Sequence, residues 1–318
     1  MTRRNRFEAP GPKPWLMLAV ALVFLAFAVE LADVLSLRGR RPGETGAAAE
    51  PPRATASLPP VADIVRWIGG GRWRADALLG PGQDPHVYEP TPRQVAALAA
   101  SRLFFRTGMP FEEALAARVA AAHPEVKTVA LDAATPRGGR GRTAGAGGHA
   151  HDHDEDAVHG WLSPANLDAW ARRIAAELKA AEPEASGEIA IHQAAWLDSL
   201  GHEDKATRAA VSNSTVRAFA AWHPAYGAWA DFYGLEQIAL EEDGKAPGPR
   251  TLAAARGRIA ASGAETMLVQ NEAEAARVAE FARGAGLRVA VVPPLGADPL
   301  ETMRLLREAV FGASQPAP

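Results

Sequence analysis

Three histidines stand where open α/β sheets present side chains to ligands, beside turn residues at the entrance to a helix. His86 lies in GPGQDPHVYEPTPRQV, where glycines and prolines prescribe a turn and Thr91-Pro92 supplies an N-cap and a first-turn proline for the next helix. His159 lies in VHGWLSPANL, just ahead of Ser163-Pro164, which opens a long helical pattern. His223 lies in WHPAYGAWADFYGL, where the following proline holds it out of helical conformation. Alone, each reads as an ordinary surface or satisfied polar residue. Together, in a chain with no cysteine, they suit Zn²⁺, which takes imidazole nitrogens at roughly 2.0–2.1 Å in tetrahedral geometry and completes its shell with a carboxylate or water. Only neutral imidazole ligates, so acid should release the metal.

The elements that must position these residues form an α/β pattern. Short β-branched or aromatic runs predict strands at Ala54–Ser57, Arg102–Phe105, Lys127–Leu131, Thr215–Ala220, Thr266–Val269 and Arg288–Val292. Helical periodicity predicts helices at Val61–Ile68, Pro92–Ala100, Phe111–Ala122, Ala228–Tyr233, Leu252–Ala261, Glu272–Ala285 and Leu300–Val310. Such alternation implies helices layered on mostly parallel sheets. One stretch breaks the rhythm: Pro164 to about Val211 holds two long helical patterns meeting near Pro183 and no strand. The α/β units therefore fall into two groups, 54–182 and 212–318, with a linking helix over 183–211. Residues 135–156 are Gly/Arg-rich and then His/Asp-rich, which predicts a surface loop.

The N-terminus carries a localisation signal. Arg3, Arg4, Arg6 and Lys13 precede an apolar run from Trp15 to Val29, the order of an export signal. Ala26-Phe27-Ala28 would suit a signal peptidase, while apolar residues continuing to Leu37 would equally suit an uncleaved anchor. Segment 1–37 is thus a signal peptide or membrane anchor. Residues 38–53, rich in Gly, Pro, Ala and charge, read as a flexible spacer. The working compartment is periplasmic or otherwise extracytoplasmic.

Composition excludes several classes. With 34 basic against 37 acidic residues and a net charge of -3, the chain has no broad cationic surface for nucleic acid. Zero cysteines exclude disulfides, thiolate metal sites and a cysteine nucleophile. No phosphate-loop lysine pattern, GxSxG elbow or HExxH helix occurs. Trp161, Trp170, Trp196, Trp222 and Trp229, with Phe232 and Tyr233, read as packing residues, although Trp222 and Tyr226 would also serve as cleft walls. His123, His192 and His202 sit in helical contexts and carry no chemistry here.

The three histidine strings, taken in order, resemble the metal-specific solute-binding proteins of bacterial ABC importers, in particular their zinc branch. The resemblance covers nearly all of Ala54–Phe311 and includes LPPVADIVRWIGG at the start of the first lobe. It implies two α/β lobes with mostly parallel sheets joined by a rigid long helix, and a metal site in the cleft between them. His86 and His159 of the first lobe and His223 of the second would be the ligands. It also implies a monomer without enzymatic activity that carries Zn²⁺ as cargo to an ABC permease of the cytoplasmic membrane. Manganese-preferring relatives tend to place a glutamate where His223 stands, so histidine there favours zinc.

Two departures qualify the resemblance. Many relatives carry an aspartate before PLG in the last strand loop, whereas this chain has Pro293 there. Water is the expected fourth ligand, with Glu241, Glu242 or Asp298 as carboxylate alternatives. The HAHDHDED loop is short beside those of many zinc relatives; His149, His151 and His153 would either gather zinc loosely or form a solvated charged segment. Rival functions are a zinc-dependent hydrolase or hydratase using a three-histidine site, a carrier of Mn²⁺ or another divalent ion, and a metal sensor or adhesin.

Overall fold

The computed structural model describes residues 50–80, 83–134, 159–241 and 245–312. The N-terminal segment 1–37, the spacer up to residue 49, the 135–156 loop and Glu242 lie outside them. Among the described residues no helix is long and apolar enough to cross a membrane.

The chain runs β1 (Arg53–Ala56), α1 (Pro59–Gly69), β2 (Arg74–Ala77), α2 (Pro92–Ala99), β3 (Leu103–Arg106), α3 (Pro110–Ala122) and β4 (Lys127–Ala130). Two consecutive helices follow, α4 (Pro164–Ala181) and α5 (Ser186–Asn213), parted by a 3₁₀ turn at Pro183–Ala185. The alternation then resumes as β5 (Ala218–Ala221), α6 (Gly227–Tyr233), β6 (Glu236–Ala239), α7 (Pro249–Ser262), β7 (Thr266–Val269), α8 (Glu272–Gly284), β8 (Arg288–Val291) and α9 (Pro299–Phe311). Helices α1, α2, α3, α4, α7 and α9 all open on proline. At that position the missing N–H costs nothing and the fixed φ already suits a helix, so these prolines mark where each connection must end.

All strand pairs are parallel, and the two sheets share one order, β2-β1-β3-β4 and β6-β5-β7-β8. Two α/β lobes with parallel sheets are therefore present. The edge strands β2, RADA, and β6, EQIA, are additions to the sequence reading. Each is four residues long; β2 exposes Arg74 and Asp76 on alternate positions and β6 opens on exposed Glu236 followed by half-buried Gln237, so neither shows an apolar run. Helix α5, at 28 residues, spans about 40 Å at 1.5 Å per residue.

Strand alternation in the second sheet divides the interior. Phe219, Ala221 and Leu268 face the same buried cluster as Ala54 and Phe105 of the first sheet, Trp170 of α4, Trp196 of α5 and Met303 and Phe311 of α9. Their neighbours Ala218, Ala220, Met267 and Val269 face the other way, against Ile259 of α7 and Val278 of α8. One apolar interior thus runs through both lobes and the helices between them, with a smaller one behind the second sheet alone. Helix α9 docks on α5, where Arg307 reaches Glu203 at 2.8 Å.

Candidate metal centre

His86 hangs on the loop from β2 to α2, and that loop is tied at both ends. The Tyr88 hydroxyl donates to the Leu78 carbonyl (2.7 Å) and the Gln94 amide donates to the same oxygen (2.6 Å). Thr91 and Gln94 form a reciprocal capping box at the start of α2, satisfying two N–H groups that a helix start leaves open. Asp84 accepts the backbone N–H of His86 at 2.8 Å. The consequence is a histidine whose backbone is fixed and whose Nε2 is buried without a hydrogen-bond partner. Such an orphaned nitrogen costs free energy unless a ligand meets it.

His159 precedes a 3₁₀ turn, Gly160–Leu162, which leads into α4. It is 2% exposed, and its ring lies against Trp161 at a centroid distance of 5.1 Å. A side chain at Gly160 would press on the Asn166 amide at 3.0 Å, the group that binds the Gly160 carbonyl. Trp161, expected as a packing residue, is buried and also reaches across to the second lobe, donating from Nε1 to the Pro294 carbonyl at 2.7 Å.

His223 sits two residues past β5. Trp222 donates its N–H to the Leu268 carbonyl and accepts the N–H of Glu241, which anchors the segment to both neighbouring strands. His223 Nδ1 lies 2.8 Å from Glu241 Oε2. Tyr226, fully buried, donates its hydroxyl to the Val292 carbonyl at 2.7 Å. Burial, with Glu274 nearby, pushes its phenol well above the ordinary value, so it remains a neutral donor. Trp222 is buried as well, with the Arg277 guanidinium over its ring.

The fold brings His86, His159 and His223 together. Their ring centroids form a nearly equilateral triangle of 5.3, 5.7 and 5.4 Å, with the planes inclined at 57°, 69° and 74°. One ring nitrogen from each lies within 4.8 Å of the others. Tetrahedral Zn²⁺ bonds of roughly 2.0–2.1 Å require nitrogens about 3.3 Å apart, so a shift on the order of 1 Å at each side chain would close the shell. The three arrive from different loops at one end of the two sheets, two from the first lobe and one from the second. Pro293 follows β8 and brings no carboxylate, while the carbonyls on either side of it are bound by Tyr226 and Trp161. Among the carboxylate alternatives, Asp298 accepts the N–H groups of Leu300 and Glu301 as the N-cap of α9. Glu241 contacts His223.

Residues 55–308 match the family described as ZnuA, the periplasmic component A of a zinc-uptake complex. The chain belongs to the ZnuA family. The high-affinity zinc uptake system protein ZnuA of Paracoccus denitrificans (strain Pd 1222) is 29% identical over 298 residues, 85% of this chain and 91% of that protein. The zinc-binding lipoprotein AdcA of Streptococcus pneumoniae (strain ATCC BAA-255 / R6) is 25% identical over 185 residues, 57% of this chain and 37% of AdcA. A crystal structure of ZnuA superposes with a TM-score of 0.70 at 24% identity, covering 83% of this chain and 99% of that one. The periplasmic zinc-binding protein TroA of Treponema pallidum gives 0.69 at 17% identity, covering 82% and 98%. These likenesses show that the two-lobed fold is that of ZnuA-type binding proteins.

Proposed function

We propose that the chain captures one Zn²⁺ outside the cytoplasmic membrane through His86, His159 and His223 and delivers it to the permease of an ABC importer. The observation that carries this reading is the convergence of three imidazoles from both lobes, with the buried Nε2 of His86 otherwise unpartnered. Nitrogen ligands without thiolate suit zinc and leave the harder Mn²⁺ poorly served. Family membership and the names of the zinc-uptake relatives agree with that cargo.

The protein acts as a carrier and catalyses nothing. Zinc hydrolysis needs a positioned acid or base beside the metal-bound water, whereas Glu241 is bonded to an imidazole and Asp298 caps a helix. Segment 1–37 serves for export or tethering, and residues 38–53 separate it from a monomeric body whose first lobe is 54–182 and second lobe 212–318, joined by the helix over 183–211. Because protonated imidazole cannot ligate, protons compete with zinc for these ligands.

Calorimetric zinc titration at neutral pH tests the site. One tight equivalent should be lost when His86, His159 and His223 are all replaced by alanine, and any weaker binding left over belongs to the His149–His153 loop. Unchanged tight binding in that variant would refute the assignment. Delivery is tested by deletion: growth should slow in zinc-chelated medium, and zinc alone should restore it.

A further inference from the structure

We infer that Glu241 is the positioning residue of the second lobe: it stays outside the metal shell and holds His223 with Nδ1 protonated and Nε2 turned to the ion. This rests on the three-histidine reading and adds to it a carboxylate that touches a ligand and not the cargo.

Parallel register makes the contact a property of the sheet. Ala221 of β5 pairs with Ala239 of β6, and His223 and Glu241 each lie two residues beyond that pair, on loops still linked by the bond from Glu241 N–H to the Trp222 carbonyl. Both side chains are largely shielded, 12% and 15% exposed. An ionised carboxylate can only accept a hydrogen bond, so the 2.8 Å contact fixes the proton on Nδ1 and leaves the Nε2 lone pair for a metal. Rotating Glu241 into the shell instead would surrender that bond. The last strand loop supplies no rival carboxylate, since residue 293 is proline and the carbonyls of Val292 and Pro294 are already bound. Held outside the shell, the carboxylate orients an imidazole without adding an oxygen ligand. The arrangement therefore favours zinc over ions that seek carboxylate oxygens.

The test compares Glu241→Ala and Glu241→Gln in the full chain by competitive zinc titration, together with ¹⁵N-histidine NMR of the zinc-loaded protein. Loss of the outer partner should weaken zinc about 10- to 100-fold in the alanine variant. The glutamine variant, whose amide oxygen still accepts from Nδ1, should recover most of it, and His223 should show a proton on Nδ1. Wild-type affinity in Glu241→Ala would overturn the inference, as would a metal-bound Nδ1. Glutamine as weak as alanine would also overturn it, because the carboxylate would then be touching the ion. Should the alanine variant fail to fold, the glutamine variant and the wild-type NMR signal decide the matter alone. Tight zinc retained by the triple histidine variant would instead sink the three-histidine reading, and this inference with it.

Discussion

The two lobes share a strand order but divide the chemistry unequally. The first lobe contributes two imidazoles, one on the tied loop after β2 and one at the turn before α4. The second contributes His223, the one histidine after residue 213, with Glu241 bonded to it, and has its Val292–Pro294 segment braced by Tyr226 and Trp161. Equivalent backbones can thus carry different duties, because the loops beyond the strand ends vary while the sheet beneath them does not. The lobes differ in burial too: the second sheet shares one face with the first lobe and keeps the other for α7 and α8.

The largest expected effect breaks that shared face. Phe219→Ala should cost about 3–5 kcal/mol of stability, the usual range for emptying a buried aromatic site. Because its cluster includes both lobes, thermal melting should remain a single transition that moves down as a unit. Two separated transitions would mean the lobes are energetically independent. The next largest effect compares ligands across the cleft. His86→Ala and His223→Ala should each weaken zinc about a hundred- to a thousandfold, a quarter to a third of the roughly 10–16 kcal/mol typical of a structural zinc site. Titration of both variants checks this, and a much smaller loss for His223→Ala would place the ion on the first lobe alone.

What could be read from the sequence follows from where the side chains make their energy. Strand β7, TMLV, is buried along its whole length and was visible as an apolar run. So were the proline-opened helices, because capping and proline chemistry are local. Strands β2 and β6 were not: RADA holds no β-branched residue and EQIA only one, so both lean on backbone pairing, whereas the opposite edge strands, KTVA and RVAV, hold two each and showed. That omission had a price at the site. His86, His159 and His223 stood out through their turns, but Glu241 was one of three acids with nothing to choose among them, because its contact depends on the β5–β6 register. The bond from Trp161 to Pro294 was likewise illegible, linking residues 133 positions apart.

Two smaller perturbations sharpen the comparison. Trp161→Phe keeps the ring against His159 but leaves the Pro294 carbonyl without its donor, at about 1–3 kcal/mol. Denaturant unfolding should show that loss, together with faster zinc dissociation measured by chelator trapping. Asp298→Ala removes the N-cap of α9 and should cost about 1 kcal/mol with zinc affinity unchanged. A marked drop in affinity would return Asp298 to the ligand set.

The apolar interior common to both lobes has a consequence for how a membrane partner tells a full carrier from an empty one. Parting the halves widely would bring Phe219, Trp170 and Trp196 into water, at about 25 cal/mol for every Å² uncovered. Loaded and empty forms should therefore have nearly the same outline and scatter X-rays almost identically. The permease must then read local texture: how firmly the histidine loops are held, and how readily they yield to its own surface.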